Sequence, residues 1–156
     1  MSRARQALSA IDPGRGADEG AGLIRLSWAG TVVFVITAIA AVVAPSVAAE
    51  VAAGTALALF GVGCVLFLWA FLLAVERSRT DAIGIGGLYF LAGSAPSRVT
   101  RLLMGSFAVE VVVALASASA RPFTSLAFGV LVPMWGLGIA GLWGARYGTF
   151  EPRAPA

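Results

Sequence analysis

LLMGSFAVEVVVALASASA, Leu102 to Ala120, decides the fold: nineteen residues, apolar apart from small hydroxyls and a single carboxylate, Glu110, near the middle. At about 1.5 Å per residue, a helix of this length just spans a bilayer's hydrocarbon core. A charge at that depth costs a few kcal/mol on insertion scales. The stretch therefore reads as a membrane helix in which Glu110 requires a neighbour, a proton or a water-lined gap.

Three more apolar segments surround it. Residues 26–44 follow Arg25 and end at Pro45, residues 51–75 form a second span, and residues 125–145 a fourth. Only Ser46 to Glu50 separates the first two, and only Pro122 to Thr124 follows Arg121 before the fourth. Connections this short require antiparallel neighbours. The expected fold is therefore all-α, a four-helix transmembrane bundle (residues 26–146) made of two tight helical hairpins. Pro133, near the middle of the fourth segment, has no N–H to donate and crowds the carbonyl of Gly129, which predicts a kink. Residues 76–101 form the one long loop. Within it, AIGIGGLYFLAGSAP is apolar but too short to span, which fits an interfacial or re-entrant element. Residues 1–25 and 147–156 are polar tails; the first is expected to be disordered, apart from a short interfacial helix over Ser2 to Ile11. A signal peptide cleaved near Ser46-Val47-Ala48 is the rival reading, and the long polar stretch ahead of the first apolar run argues against it.

Composition narrows the class. Of 156 residues, 59% are hydrophobic and 12% charged, about half the charged share of a soluble domain. All eleven basic residues are arginines. They sit at the ends of apolar segments, which reads as membrane orientation and not as a nucleic-acid surface. Ten lie in the tails and long loop, against one, Arg121, on the other side. That asymmetry predicts both termini in the cytoplasm, N-in and C-in. Trp28, Trp143 and Tyr147 fall at the expected cytoplasmic interface, where amphipathic rings prefer to sit. The chain has no histidine and one cysteine, Cys64. The usual general base, most metal sites, the commonest haem ligand and an intrachain disulfide are absent with them. No cofactor or metal is expected. No catalytic set is visible, since serines are plentiful but nothing could activate one, so the chain does not read as an enzyme.

Residues three and four apart share a helix face. Ser106, Glu110, Ala114 and Ser117 therefore form a narrow small-and-polar stripe that points toward protein. Three readings of it stand: a protonatable or cation-binding site inside the bundle, a neutral Glu110 hydrogen-bonded to a serine or a backbone carbonyl, or a contact with a partner subunit. By depth, Thr37, Cys64, Pro133 and Trp135 lie level with Glu110, and the carbonyl of Gly129 is a candidate acceptor. Gly136-Leu137-Gly138-Ile139-Ala140-Gly141 matches a dinucleotide-binding pattern, but it follows no strand and lies inside an apolar span. The better reading is packing. Gly136, Ala140, Gly144 and Gly148 recur every four residues, a small-residue face that admits another helix closely, within the chain or from a second copy. Arg77, Arg79, Arg98 and Arg101, beside the loop glycines, are candidates for contact with an anionic lipid headgroup or a phosphate.

The run Gly141 to Phe150, GLWGARYGTF, with Ala120-Arg121-Pro122-Phe123 upstream, resembles small four-helix membrane proteins of high-GC Gram-positive bacteria that have no assigned activity. The resemblance covers the last third of the chain. It implies a bacterial plasma membrane and no particular chemistry. The expectation is a non-enzymatic accessory or assembly subunit held in the lipid bilayer by a membrane-protein partner or as a homo-oligomer. The alternative is a small oligomeric proton- or cation-coupled transporter or channel that uses Glu110.

Overall fold

The computed structural model describes residues 20–153. They form α1 (Ala21–Val43), α2 (Pro45–Arg77), a short α3 (Ile85–Tyr89), α4 (Ser97–Ala120), a 3-10 stretch (Ser125–Leu131) and α5 (Pro133–Tyr147). Among the described residues there is no strand, only an isolated pairing of Asp81 with Pro152. Four helical segments are long and apolar enough to cross a bilayer: α1, α2, α4 and the run from Ser125 to Tyr147. The chain is thus laid out as a multi-pass helical membrane protein. The expected interfacial helix over Ser2 to Ile11 lies outside the described residues.

Prolines begin helices here where the sequence reading had them end or bend one. Pro45 is the first residue of α2, so residues 46–50 are helical and Ala44 alone links α1 to α2. A first-turn N–H has no intrahelical acceptor, so proline loses nothing at that position. Pro133 likewise opens α5. The fourth segment does not kink as one α-helix. It changes type, from a 3-10 stretch to an α-helix, across Val132. The ends also move outward: α1 begins at Ala21, not residue 26, and α4 at Ser97, not 102. The loop shrinks to residues 78–96. At 33 residues, α2 is about 50 Å long, which a bilayer accommodates by tilt or by letting the ends protrude.

α5 is the central element. Every residue from Gly138 to Ala145 is buried, and its most extensive packing is against α2. That approach depends on two glycines. A Cβ on Gly63 would stand 2.6 Å from the backbone of Met134 and Trp135, and one on Gly138 would stand 2.5 Å from the carbonyl oxygen of Gly63. Backbone cannot step aside as a flexible side chain can. Trp135, Ile139, Ala140 and Trp143 then join Leu91, Val99 and Leu103 in one buried cluster. Trp143, expected at the interface, is wholly buried in protein. The outward side of α2 is apolar and exposed at Val65, Leu68 and Leu72, as a lipid-facing surface must be.

α1 and α4 run parallel in fixed register. Ser27 meets Ser106, Thr31 meets Glu110 and the Val42 carbonyl meets Arg121, each pair 79 residues apart. The loop docks against α5 and α2. Leu88 and Tyr89 are buried. The Tyr89 hydroxyl donates to the Phe67 carbonyl at 3.1 Å while its ring stacks on Phe67 at 4.2 Å. The chain beyond α5 is stitched to this loop: Thr149 N donates to Ser94 O, Ala82 N to Glu151 O and Arg153 N to Thr80 O, at 2.8–2.9 Å.

Gly63→Val should destabilise the bundle by about 1–3 kcal/mol, the usual cost of overpacking. Gly61→Ala, whose Cβ meets nothing within 4 Å, should be neutral or stabilising by up to about 1 kcal/mol. Thermal unfolding of both variants in one detergent reads the difference.

Candidate intramembrane polar site

Glu110 is fully buried, and both of its oxygens are engaged. Oε1 accepts from the Thr31 hydroxyl at 2.7 Å, and Oε2 accepts from the Gly136 N–H at 3.1 Å. The second contact explains why a carboxyl group sits at this depth. A helix leaves its first N–H groups without intrahelical partners, and in hydrocarbon no water replaces them. The α5 N-terminus lies inside an apolar span. Trp135 N turns back to Val132 O at 2.8 Å, and Gly136 N is left to the carboxyl of α4. The positive end of the α5 dipole favours an anionic or hydrogen-bond-accepting group there.

Gly136 must be glycine for this contact. A Cβ would lie 2.7 Å from Glu110 Oε2 and 3.2 Å from the Phe107 Cα. Its role in the four-residue repeat is thus to admit a carboxylate. The rest of the repeat is also turned inward. Ala140 is fully buried, a Cβ on Gly144 would strike the Leu88 carbonyl, and one on Gly148 would meet Gly144 and the Phe150 ring.

A hydroxyl cluster extends from Glu110 along the α1–α4 seam. Thr31 Oγ1 lies 3.3 Å from Ser106 Oγ, and Ser106 Oγ lies 2.5 Å from Ser27 Oγ. Thr31 Oγ1 also reaches the Ser27 carbonyl at 3.0 Å. Trp135 Nε1 donates to that same carbonyl at 3.2 Å. One threonine proton serves three acceptors. Given to Glu110 or to Ser106, it leaves Ser106 and Ser27 bonded to each other, so the cluster holds together whichever acceptor Thr31 serves.

The stripe residue Ser117 does not join this cluster. It lies two turns beyond Glu110, about 10 Å along the axis, and donates to the Ala114 carbonyl of its own helix at 3.1 Å. The Gly129 carbonyl is taken by Val132 N at 3.1 Å and is not an acceptor for Glu110. Thr37 bonds to the Val33 and Phe34 carbonyls instead. Thr31 and Ser27 are missed because Thr37, six residues further along α1, is the threonine nearest the middle of the apolar run. A serine and threonine four apart on an otherwise apolar helix were the available signal.

The arginines expected beside the loop divide. All three guanidinium nitrogens of Arg77 are engaged: Nη1 donates to Ala145 O at 2.7 Å, Nη2 to Gly148 O at 3.2 Å and to Asp81 at 2.9 Å, and Nε to Asp81 at 3.2 Å. Arg77 thereby closes the C-terminal end of α5. Arg79, Arg98 and Arg101 are exposed, and Arg101 Nε donates to Ser97 O at 3.2 Å. No hydrogen bond or salt bridge among the described residues joins the four to one another. Nor do three or more His, Cys, Asp or Glu side chains among them gather as a metal site would require.

Fold and site together define a multi-pass helical membrane protein whose central helix is capped within the apolar layer by a carboxyl group from a neighbouring helix. No protein-family model, curated protein or solved structure matches the chain.

Glu110→Leu should cost about 1–3 kcal/mol, the penalty for orphaning buried donors. Glu110→Gln, which still offers one acceptor and one donor, should cost less than half as much. Gly136→Ala should destabilise the wild type yet act less than additively with Glu110→Ala, because the clash with Oε2 is gone. A double-mutant cycle on thermal or denaturant unfolding in detergent measures that coupling; strict additivity would break the link between Glu110 and Gly136.

Proposed function

We propose that this chain is a non-enzymatic accessory or assembly subunit of a membrane complex. It crosses a bacterial plasma membrane four times as two helical hairpins with both termini in the cytoplasm. The observation that carries this reading is the internal use of Glu110. Its two oxygens serve Thr31 and Gly136, so the one buried carboxylate among the described residues is spent on holding α5 in place. A chain whose intramembrane polar groups serve its own helices offers its apolar outer faces and its arginine-bearing end to partners. The proposed orientation rests on the arginine distribution, ten against one.

A second reading is favoured by one specific observation. The line Ser27, Ser106, Thr31, Glu110 is continuous within hydrogen-bond distance, and such a line can pass a proton to a carboxylate. This would make the protein a small proton-coupled carrier or channel, acting as an oligomer because four spans enclose little space.

Purification from native membranes into nanodiscs, followed by mass and identity of the retained proteins, separates the two. A stoichiometric partner kept by both wild type and Glu110→Gln is expected. A pure homo-oligomer whose proton flux in liposomes disappears in Glu110→Gln would overturn the subunit reading. In a Cys64→Ser background, a cysteine at Ser46 should react with an impermeant thiol reagent from outside intact cells and one at Thr80 should not. The reverse pattern would invert the topology.

A further inference from the structure

Between α1 and α4, where their ends approach Ala44 and Arg121, lies an open-sided groove of about 330 Å³, at the lower end of the range for ligand pockets. Its walls include Ala38, Val42 and Val43 on α1 and Val112, Ala116 and Ala120 on α4. The one hydroxyl in the lining, Ser117, is turned back onto the Ala114 carbonyl. Val112 to Ala120 covers about 12 Å of helix rise. The groove is too apolar for a polar solute.

A cation stands at its end. Arg121 directly follows Ala120, and its Nη2 donates to the Val42 carbonyl at 3.1 Å. That is its one hydrogen bond through the guanidinium among the described residues, and the one salt bridge among them belongs to Arg77 and Asp81. The side chain is partly exposed, with further N–H donors in the planar fork that suits a phosphate. From the bundle middle to its end, the order is apolar slot, then unpaired guanidinium. A membrane phospholipid has the same order, acyl chain then phosphodiester.

We propose that the α1–α4 groove is a phospholipid site that takes one acyl chain along Val112–Ala120 and places the phosphate on Arg121. The site is separate from the Glu110 cluster and independent of the subunit reading. Two contributions bind the lipid: burial of the chain against alanine and valine, and a charge-assisted contact that fixes its depth. The lone arginine at this end of the bundle then serves both the last turn of α1 and the lipid.

Native mass spectrometry of the full chain, delipidated in detergent and returned to phosphatidylglycerol, tests this. One retained phospholipid per chain is expected, and diacylglycerol with the same acyl chains should be retained at least tenfold less. Ala116→Trp, which fills the groove, should abolish retention. Arg121→Gln, which leaves the groove open, should lower it about tenfold. Leu115→Trp, on the exposed side of α4 outside the groove walls, should leave it unchanged. Both tryptophan variants are compared only as monodisperse, fully helical protein; should Ala116→Trp fail that check, Arg121→Gln and the diacylglycerol comparison decide the matter. No phospholipid on the wild type, equal retention of diacylglycerol, retention unchanged by Arg121→Gln or by folded Ala116→Trp, or a second polypeptide bound in place of the lipid would each overturn the proposal.

Discussion

A hydrogen bond of 3.1 Å from the Gly136 N–H to Glu110 Oε2 is the contact to which the rest of the bundle is fitted. A helix that starts inside an apolar span exposes N–H groups that neither lipid nor its own carbonyls can satisfy. Here the remedy comes from another helix. For the carboxyl to arrive, Gly136 must lack a Cβ, and α4 must pass close enough that its Phe107 backbone would touch one. For the other carboxyl oxygen to be satisfied, α1 must present Thr31 at the same height. One residue thus fixes the relative heights of three helices. The constant offset of 79 residues between α1 and α4 is the visible result.

The reasons for the site's composition follow from the same constraint. Ser27, Thr31 and Ser106 are small, so α1 and α4 approach closely here, and Thr31 donates while the two serines bond to each other. A larger amide or a second carboxylate would need partners the surrounding alanines and valines cannot supply. Trp135 fills the remaining space beside Gly30, where any Cβ would strike the indole, and its own N–H finds the Ser27 carbonyl. Polar satisfaction and close packing are here one condition, because the groups that bond to each other are also those whose small size permits the approach.

Much of the architecture is legible in the sequence because hydrocarbon imposes a simple rule: nearly unbroken apolar runs of helix-spanning length with arginines at their ends. The four segments follow from that rule, and the isolation of Glu110 follows from counting charges along one of them. What the sequence hides is register. The face Ser106–Glu110–Ala114–Ser117 is set by spacing along one helix, but which residue of α1 stands opposite depends on where two separate helices begin. A shift of six residues, nearly two turns, exchanges Thr37 for Thr31. The prolines are hidden for a related reason. Pro45 and Pro133 have the same local chemistry whether they end one helix or open the next, and the choice falls to which neighbouring N–H groups find acceptors. The glycines that matter most for the α2–α5 approach, Gly63 and Gly138, belong to no repeat, because a crossing point needs small residues at one height only.

α5 shows how the parts combine. It contains Gly136, Gly138, Gly141 and Gly144 in fifteen residues, and each glycine weakens an isolated helix by about 1 kcal/mol relative to alanine. Its stability must come from its surroundings, and these are arranged by charge as well as by shape. Glu110 from α4 meets its N-terminal end, and Arg77 from α2 binds the carbonyls of Ala145 and Gly148 at its C-terminal end. An acceptor at the positive pole and a cation at the negative pole are the favourable pairings for a helix dipole. Away from water, the Glu110 contact is worth more than it would be on a soluble surface. Both groups lie on helices that precede α5 in the chain, and together α1, α2 and α4 form a socket whose polarity matches that of α5. The glycines let α5 come close enough to use that socket. The same closeness leaves α5 no face for lipid between Gly138 and Ala145, and gives the outer surface of the bundle to the three helices around it.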